Sequence, residues 1–332
     1  MKNWILCAKD RGALFPKFSI TLLTLLLGLS MLWPGNVIGR PTLVSRPYYD
    51  LPPQIKKSGV FFSGSRVPLE RQDVAERIED QVNYYLLDRR ASLIDVLERL
   101  SVQGPVIGAT LAEEKLPADL IYVAAALSDL LPTAKTKSGG YGWWSLGSLK
   151  PNNTWSSTNE WDDRRDPVIS TKLASNLFNQ IRSKNSKFDW LFSIASFVDG
   201  TDKIELMAKK SPGFTYWDVV APSFSETLIP RVIALKIINE NRKYFDIHVP
   251  STPPLEFDLV DNLKLNKDLS IRSLSQWLGI TPRTFWELNP GIDPTFGAFP
   301  KSDKRNPNAT FLRVPKGSGQ KVKALISSEG YM

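Results

Sequence analysis

The chain has 332 residues, a length that fits one large globular domain or two domains of ordinary size. Of these residues 42% are hydrophobic and 23% are charged, a composition that excludes a disordered chain. The net charge of +8 favours acidic partners such as an anionic polymer or lipid, unless the charge only keeps the protein soluble. The sequence has no dense Lys/Arg block with stacking aromatics, which argues against nucleic acid as a partner. The sequence contains one cysteine, Cys7, and one histidine, His248, which excludes a Cys/His zinc cluster and a disulfide framework, and we expect no metal and no cofactor.

The first 39 residues have the form of an export signal. Basic residues precede an apolar run at 18–33, and the small residues Val37 and Gly39 follow it as candidate cleavage positions. The run is slightly shorter than the ~20 residues of a comfortable bilayer span, which favours a cleaved signal over an uncleaved anchor. We therefore expect a protein of the periplasm or cell envelope that contacts the membrane only if this segment is retained.

Residues 40–70 and 71–248 differ in pattern. The first segment is rich in Pro and Ser without periodicity, which predicts an extended arm. From residue 71 onward, apolar residues recur three or four positions apart, which predicts six or seven helices without βαβ alternation. The stretch "QGPVIG" at 103–108 is predicted to separate the second helix from a third, in which Pro117 suits the first turn.

Two further helix boundaries are marked by proline. Asp166 and Pro167 fit the N-cap and first position of one helix. Pro230 is expected to start or to kink a later, long helix.

The chain after His248 has a different composition. Residues 249–255 are predicted to be a linker, and residues 256–332 show the order strand, helix, helix, strand. The expected fold class is therefore mainly α, with a helical domain followed by a small α/β module.

Five stretches between residues 111 and 246 carry a family likeness in their order and spacing. They are "LPADL" (116–120), "SGGYGWW" (138–144), "DDRRDPVIST" (162–171), "DWLFSIASFVDG" (189–200) and "IPRVIALKII" (229–238). Together they resemble the soluble lytic transglycosylase (SLT) domain, which has a goose-lysozyme-like helical fold, and most of all its membrane-bound lytic murein transglycosylase D branch. The resemblance covers about half the chain and implies a lysozyme-like fold at 71–248 and a role at peptidoglycan.

The C-terminal segment 256–332 is similar, more weakly, to a LysM domain. The resemblance rests on "LSQWLGITPRTFWELNPGI" (274–292) and "FLRVPKG" (311–317). It implies binding of glycans that contain N-acetylglucosamine, although a short amphipathic helix pair needs no ligand. The candidate glycan-binding residues are Trp277 and Asn289 here and Trp143 and Trp144 in the helical region, where core packing is the alternative role.

Cleavage of a glycan strand requires a carboxylic acid that protonates the glycosidic oxygen. The resemblance implies that the family's acidic Glu corresponds to Leu127, which is followed by Ser128. The family's Gln corresponds to Ser145, its Tyr and Asn to Phe197 and Val198, and a second Tyr to Leu228. Since leucine cannot donate a proton and the other replacements are shorter or apolar, the sequence predicts a degenerate cleft and a pseudoenzyme.

Nearby carboxylates are poor substitutes for the missing acid. Asp129 follows Leu127 by two residues, a rotation of ~200° around a helix, and is expected to be solvated. Asp199 is expected to face solvent at a helix end, and Glu113 and Glu114 to support the N-terminus of the helix that follows them. No second carboxylate stands at a visible glycosidase separation.

Two neighbouring arginines have alternative roles. Arg164 and Arg165 are either anion binders for muropeptide carboxylates or members of structural salt bridges.

Three hypotheses for function follow. The first is an exported, inactive relative of lytic transglycosylases that binds peptidoglycan glycan strands or scaffolds an envelope protein complex. The second is an active lytic transglycosylase with a relocated acid, and the third is a purely structural interaction protein of the envelope.

Overall fold

The computed structural model describes residues 48–137, 139–147, 155–210, 215–219, 224–254 and 256–332. The predicted signal at 1–39 and the start of the predicted arm at 40–70 lie outside these ranges. For the described part of that arm the prediction of an extended segment is wrong, because residues 53–58 form a helix, residues 60–67 form a β-hairpin, and Leu51, Phe62 and Val67 are buried in the core. Within them the α-helices are α1 (Pro53–Ser58), α2 (Gln72–Asn83), α3 (Arg90–Glu113), α4 (Ile121–Ser128), α5 (Pro167–Lys184), α6 (Trp190–Asp199), α7 (Thr201–Lys210), α8 (Phe224–Glu240), α9 (Ile271–Leu278), α10 (Pro282–Leu288) and α11 (Gly319–Ser328). The strands are β1 (Val60–Phe62), β2 (Ser65–Val67), β3 (Phe257–Val260), β4 (Leu269–Ser270), β5 (Ala298–Phe299) and β6 (Leu312–Pro315).

The predicted helical region is confirmed as mainly α from α2 to α8. The apolar faces of these helices form one hydrophobic cluster, and each helix contributes at least one side chain that is almost fully buried. Examples are Ile78, Leu97, Val123, Phe178, Ile194, Ile204 and Ile233. Each such side chain contributes about 1.5–3 kcal/mol on burial, so packing of these faces holds the helical region together.

The predicted break at "QGPVIG" is wrong, because α3 continues through it with Pro105 in its interior. An interior proline costs about 3 kcal/mol, but Ile107 and Leu111 further along α3 are fully buried. Their burial offsets the cost and keeps the chain helical. Glu113 and Glu114 are consequently the last residue and the C-cap of α3, so the prediction that they support the next helix N-terminus is wrong.

The two other predicted helix boundaries have different outcomes. Asp166 is the N-cap of α5, where its carboxylate accepts hydrogen bonds from the amides of Val168 and Ile169, and Pro167 occupies the first turn, as predicted. By contrast, α8 begins before Pro230, so the proline does not start the helix. It lies inside α8, where a kink, the other predicted alternative, stays a prediction.

The C-terminal residues form a second hydrophobic cluster around β3, β6, α9 and α10. The predicted order of strand, helix, helix and strand is present, with β3 antiparallel to β6, and the short β4–β5 pair and α11 are additional. Trp161, from the segment before α5, belongs to this cluster and makes edge contacts with Phe299 and Phe311. The two clusters are therefore joined through a segment of the helical region.

Among the described helices, none combines the length and apolar character required to cross a bilayer.

Candidate functional site

The C-terminal end of α4 is tied to the glycine-rich aromatic loop at 139–147. Ser128, which is buried, has its Oγ 2.9 Å from the Ala124 carbonyl oxygen and 2.8 Å from that of Trp143. Ser145 Oγ donates to the carbonyl oxygen of Leu127 at 3.2 Å. The side chain of Leu127 is half-buried against the main core. The loop is thereby fixed directly over the position that the resemblance gives to the acid.

The same loop approaches the segment that precedes α5 very closely. A Cβ added at Gly142 would lie 1.9 Å from the carbonyl oxygen of Arg164, and its φ is +75°, so only glycine fits. Trp143 donates its indole N–H to the carbonyl oxygen of Arg165 at 2.6 Å, and Trp144 donates to Thr171 Oγ1 at 2.9 Å. Because both indoles are buried and their N–H groups are used inside the protein, they lie in the core.

The other positions that the resemblance assigns to the cleft lie on α6 and α8. Phe197 is half-buried and stacks on Phe178 with ring centroids 4.6 Å apart, and Phe178 also meets the edge of Trp144. Val198 packs against the main core and Leu228 is fully buried within it. Leu127, Phe197, Val198 and Leu228 thus present hydrocarbon to the core, and the hydroxyls of Ser128 and Ser145 are used by backbone carbonyls, so none of the six positions carries a carboxylic acid.

The two carboxylates considered as substitutes for the missing acid are engaged by other groups. Asp129 has a left-handed backbone (φ +51°) and pairs with Arg89 at 2.7 Å, with 26% of its side chain exposed. The prediction that Asp199 faces solvent is wrong, because only 7% of its side chain is exposed. Its two oxygens accept hydrogen bonds from the amides of Phe224 and Ser225 at 3.1 and 2.9 Å, at the start of α8.

Arg164 and Arg165 both make ion pairs. Arg164 pairs with Asp162 at 2.7 Å, and Arg165, almost fully buried, pairs with Asp293 of the C-terminal cluster at 3.2 Å and lies over the ring of Trp286.

Buried charges also join α5 to the C-terminal cluster. Arg313 donates to Asp166, both side chains being buried. Burial raises the pKa of Asp163, against hydrogen bonds from Ser156, Trp161 and Asn308 that lower it. Sequence patterns gave no signal for the contact between Arg313 and Asp166 or for that between Asn308 and Asp163, because in each the partners are more than a hundred positions apart. The raised pKa of Asp163 depends on burial, which only the folded chain creates.

The two candidate glycan-binding residues of the C-terminal module differ in accessibility. Asn289 is 1% exposed, and its side chain donates to the carbonyl oxygens of Phe285 and Arg313 and accepts from the amide of Arg313. Trp277 is half-buried at the surface, with its ring 6.3 Å from that of Tyr331 in an edge contact. Of the four predicted glycan-binding residues, Trp277 alone presents an incompletely buried ring.

No group of three or more His, Cys, Asp or Glu side chains within the described ranges is arranged to hold a metal ion.

The chain was compared with known proteins. No protein-family model matches it. It is 23% identical over 259 residues to membrane-bound lytic murein transglycosylase D of Escherichia coli K12, and equally to the protein of that name from E. coli O6:H1 strain CFT073. The alignment covers 76% of this chain and 55% of each relative, so the chain spans about half the length of the curated relatives it matches.

These matches correct one prediction. The chain was expected not to be an enzyme, and that expectation is contradicted because both relatives are named as lytic murein transglycosylases, which are enzymes. The matches relate this chain to the lytic murein transglycosylases.

Proposed function

We propose that the chain binds the glycan strands of peptidoglycan in the cell envelope. The observation that carries this proposal is the similarity to murein transglycosylases over 76% of the chain. The net charge of +8 suits an anionic wall polymer. The signal-like sequence at 1–39 and the words "membrane-bound" in the name of the relatives support a location at the envelope.

A surface on the C-terminal module is a candidate for glycan contact. The half-buried ring of Trp277 lies beside Tyr331, and Lys267 Nζ lies 4.2 Å from the centroid of the Tyr331 ring. Aromatic rings offer an apolar face with a polar edge, which suits the faces of sugar rings. The likeness of this segment to a LysM domain supports the same assignment.

Co-sedimentation with purified sacculi tests the proposal. The full chain is expected to sediment with sacculi and to be released by soluble chitin oligomers. An unrelated protein of the same net charge serves as the control for electrostatic adsorption. Recovery in the pellet no greater than that of the control, at both low and physiological salt, would contradict the proposal.

Cleavage of the strands is the second candidate function, and the name of the relatives favours it. Leu127 cannot supply the proton, so the acid has to come from another position. Incubation with sacculi is expected to release anhydro-muropeptides, and Leu127→Ala is expected to retain that activity because leucine takes no part in proton transfer.

Carboxamide variants identify the donor. Asp129→Asn and Asp199→Asn, each checked for folding by circular dichroism, would locate the acid by loss of product. The decisive condition uses one mole of protein for each mole of disaccharide units in the sacculi. If no anhydro-muropeptides are released under this condition, cleavage is excluded and binding is left as the function. The envelope protein complex expected from the sequence stays a prediction, which crosslinking in intact cells would test.

A further inference from the structure

One edge of strand β3 (Phe257–Val260) has no neighbouring strand. In the described part of the chain β3 pairs with β6 alone, and Leu259 lies directly opposite Arg313 in this antiparallel pair. The side chain of Asn289 bonds both the backbone N–H and the backbone C=O of Arg313. The backbone of Arg313 is therefore turned away from β3, which makes Leu259 and Arg313 a non-hydrogen-bonded pair of the ladder. The N–H and C=O of Leu259 consequently point away from β6 as well.

The same alternation applies to Phe257, two positions earlier in β3. Its opposite residue is Pro315, which has no N–H to donate. Among the described residues, no backbone group outside the sheet bonds the backbone of Phe257 or Leu259. Leu259 is 55% exposed, so solvent reaches this edge. Two N–H and two C=O groups are thus available at the spacing with which an edge strand pairs with another strand.

A groove of about 560 Å³ opens beside Phe257, between β3 and the second half of α3. Its apolar lining includes Phe257 itself, Val106 and Ala109 of α3, and Val168 of α5. Because successive side chains of a strand point to opposite faces of a sheet, Phe257 and Leu259 share one face. A strand added to β3 would place every second side chain on that same face. The groove offers apolar surface to those side chains.

The charges beside the groove favour a basic occupant. Glu256 is exposed and makes no ion pair within the described ranges. Glu113 also lines the groove, and its contact with the exposed Lys172 is long, at 3.7 Å. Among the described lining residues the one cation is Lys316, which pairs with Asp258 at 3.2 Å. Two carboxylates are therefore available to a Lys or Arg of the occupant.

We propose that β3 binds an extended, basic segment of a partner protein, which adds a third strand to the β3–β6 sheet. Backbone hydrogen bonds to Phe257 and Leu259 hold the segment, alternate apolar side chains enter the groove, and a basic side chain meets Glu256. Because β3 is four residues long, the bound segment is of similar length. The proposal does not depend on glycan binding.

Titration of the full chain with the synthetic peptide acetyl-Lys-Val-Thr-Val-Lys-amide, followed by calorimetry and amide chemical shifts, tests the proposal. Saturable binding is expected, with shifts in residues 256–260 and in the stretch of α3 that lines the groove. Residues opposite Phe257 and Leu259 share their face of the sheet, so the two valines are expected to occupy these positions and to donate the backbone hydrogen bonds. No binding at millimolar peptide would overturn the proposal.

Two altered peptides separate strand pairing from general adsorption. The peptide with N-methylated amides at both valines is expected to bind at least about 10-fold more weakly, because it lacks the two donors and keeps the side chains. The peptide with Glu in place of both Lys residues is expected to bind at least about 5-fold more weakly at low salt. Equal affinity of either altered peptide would contradict the proposal.

Substitutions at Leu259 test the edge of the protein itself. Proline is tolerated at an edge position whose N–H is unused, so Leu259→Pro is expected to fold and to weaken the peptide at least about 10-fold. Leu259→Ala keeps the amide and is the matched control, with an expected loss below about 3-fold. Unfolding of Leu259→Pro, seen by circular dichroism, would show that the fold already uses this amide and would overturn the proposal. Equal affinities of the two variants would do the same.

The charge of the edge and the occupant are tested separately. Glu256→Gln is expected to weaken the peptide about 3-fold. Glu329→Gln, which alters an exposed carboxylate outside the groove, is the control, and equal effects of the two variants would contradict selection of a basic segment. Sedimentation of the full chain identifies the alternative occupant. A concentration-dependent dimer that is lost in Leu259→Pro would assign the edge to a second copy of this chain and overturn the proposal.

Discussion

The tryptophans of this chain differ in burial, and therefore in whether a ligand can reach them. Trp144 is fully enclosed and uses its indole N–H inside the protein, where it meets Thr171. Trp277 keeps part of its ring at the surface beside Tyr331. Sequence likeness pointed to both as candidate sugar contacts, but only the ring of Trp277 is open to a ligand.

Trp277→Ala is expected to weaken binding to sacculi without unfolding the protein, because the ring is half-buried and its indole supports no hydrogen bond that the structure records. Truncation of an aromatic contact residue costs about 1–3 kcal/mol of binding, or roughly 5- to 150-fold. Co-sedimentation at a range of sacculus concentrations measures this change. Trp144→Ala serves as the contrasting variant, and it should lose about 3–5 kcal/mol of folding stability. An unchanged affinity of Trp277→Ala would remove this ring from the proposed surface.

The pH dependence of stability contains a contribution from Asp189, the N-cap of α6. Burial raises the pKa of its carboxyl, while the amides of Phe192 and Leu191 lower it. The folded state therefore holds this proton to higher pH than the unfolded state. Its contribution to stability is full below the ordinary Asp pKa of about 4 and is lost as the pH rises through the folded pKa.

Asp189→Asn keeps a side chain suited to an N-cap and removes this titration. In this variant the free energy of unfolding is expected to fall less between about pH 4 and neutrality than it does in the wild type. Urea unfolding at a series of pH values measures this difference. Asp95→Asn, at an exposed position of α3, is the control. Identical pH profiles for wild type and Asp189→Asn would show that the burial of this carboxyl has no energetic consequence.

At the scale of elements, the end of one helix stabilises the start of another. Asp199 is the last residue of α6, yet its carboxylate accepts hydrogen bonds from the amides of Phe224 and Ser225 at the start of α8. These amides belong to the first turn of a helix and have no partner within it. The contact therefore holds the start of α8 against the end of α6.

Asp199→Ala is expected to cost about 1 kcal/mol, within the 0.5–2 kcal/mol typical of a lost helix cap, and Asp199→Asn is expected to cost less. Chemical denaturation measures both. Asp202→Ala, which removes an exposed acid from the first turn of α7, is the matched control and should change stability by only a few tenths of a kcal/mol. A loss for Asp199→Ala no larger than that of the control would refute the capping role.

At the scale of the whole described structure, the helical region and the C-terminal module share buried groups. Trp161 packs within the C-terminal cluster, and Gly291 lies so close that an added Cβ would be 2.8 Å from the Trp161 ring. Arg313 of β6 donates to the carboxylate of Asp166, the N-cap of α5, with one contact of 3.0 Å. These contacts predict that the two parts unfold together.

Arg313→Met is expected to destabilise the chain by about 3–5 kcal/mol, because it leaves the fully buried carboxylate of Asp166 without its partner. Addition of Asp166→Asn, which retains the cap of α5, is expected to restore part of that loss. Urea unfolding of the wild type, both single variants and the double variant gives the coupling energy, expected to be at least about 1 kcal/mol. Additive effects, or two separate unfolding transitions in the wild type, would contradict a shared buried pair.

Local patterns account for the parts of the fold that the sequence predicted. The three-to-four spacing of apolar residues predicted a mainly helical region, and Asp166 with Pro167 predicted where α5 begins, because a cap and its helix are neighbours in the chain. The strand and helix order of the C-terminal residues followed from the same kind of local signal. The likeness to lytic murein transglycosylases was also present in the order of short motifs.

Other features depended on residues that meet only in the folded chain. The continuation of α3 through Pro105 follows from the burial of Ile107 and Leu111, and the cap that Asp199 provides joins residues 25 positions apart. The sequence alone determined the class of fold and the relationship, since periodicity and motif order are local. Tertiary packing decided which side chains are enclosed, which charges are paired and where a cavity opens, because each of these depends on distant segments coming into contact.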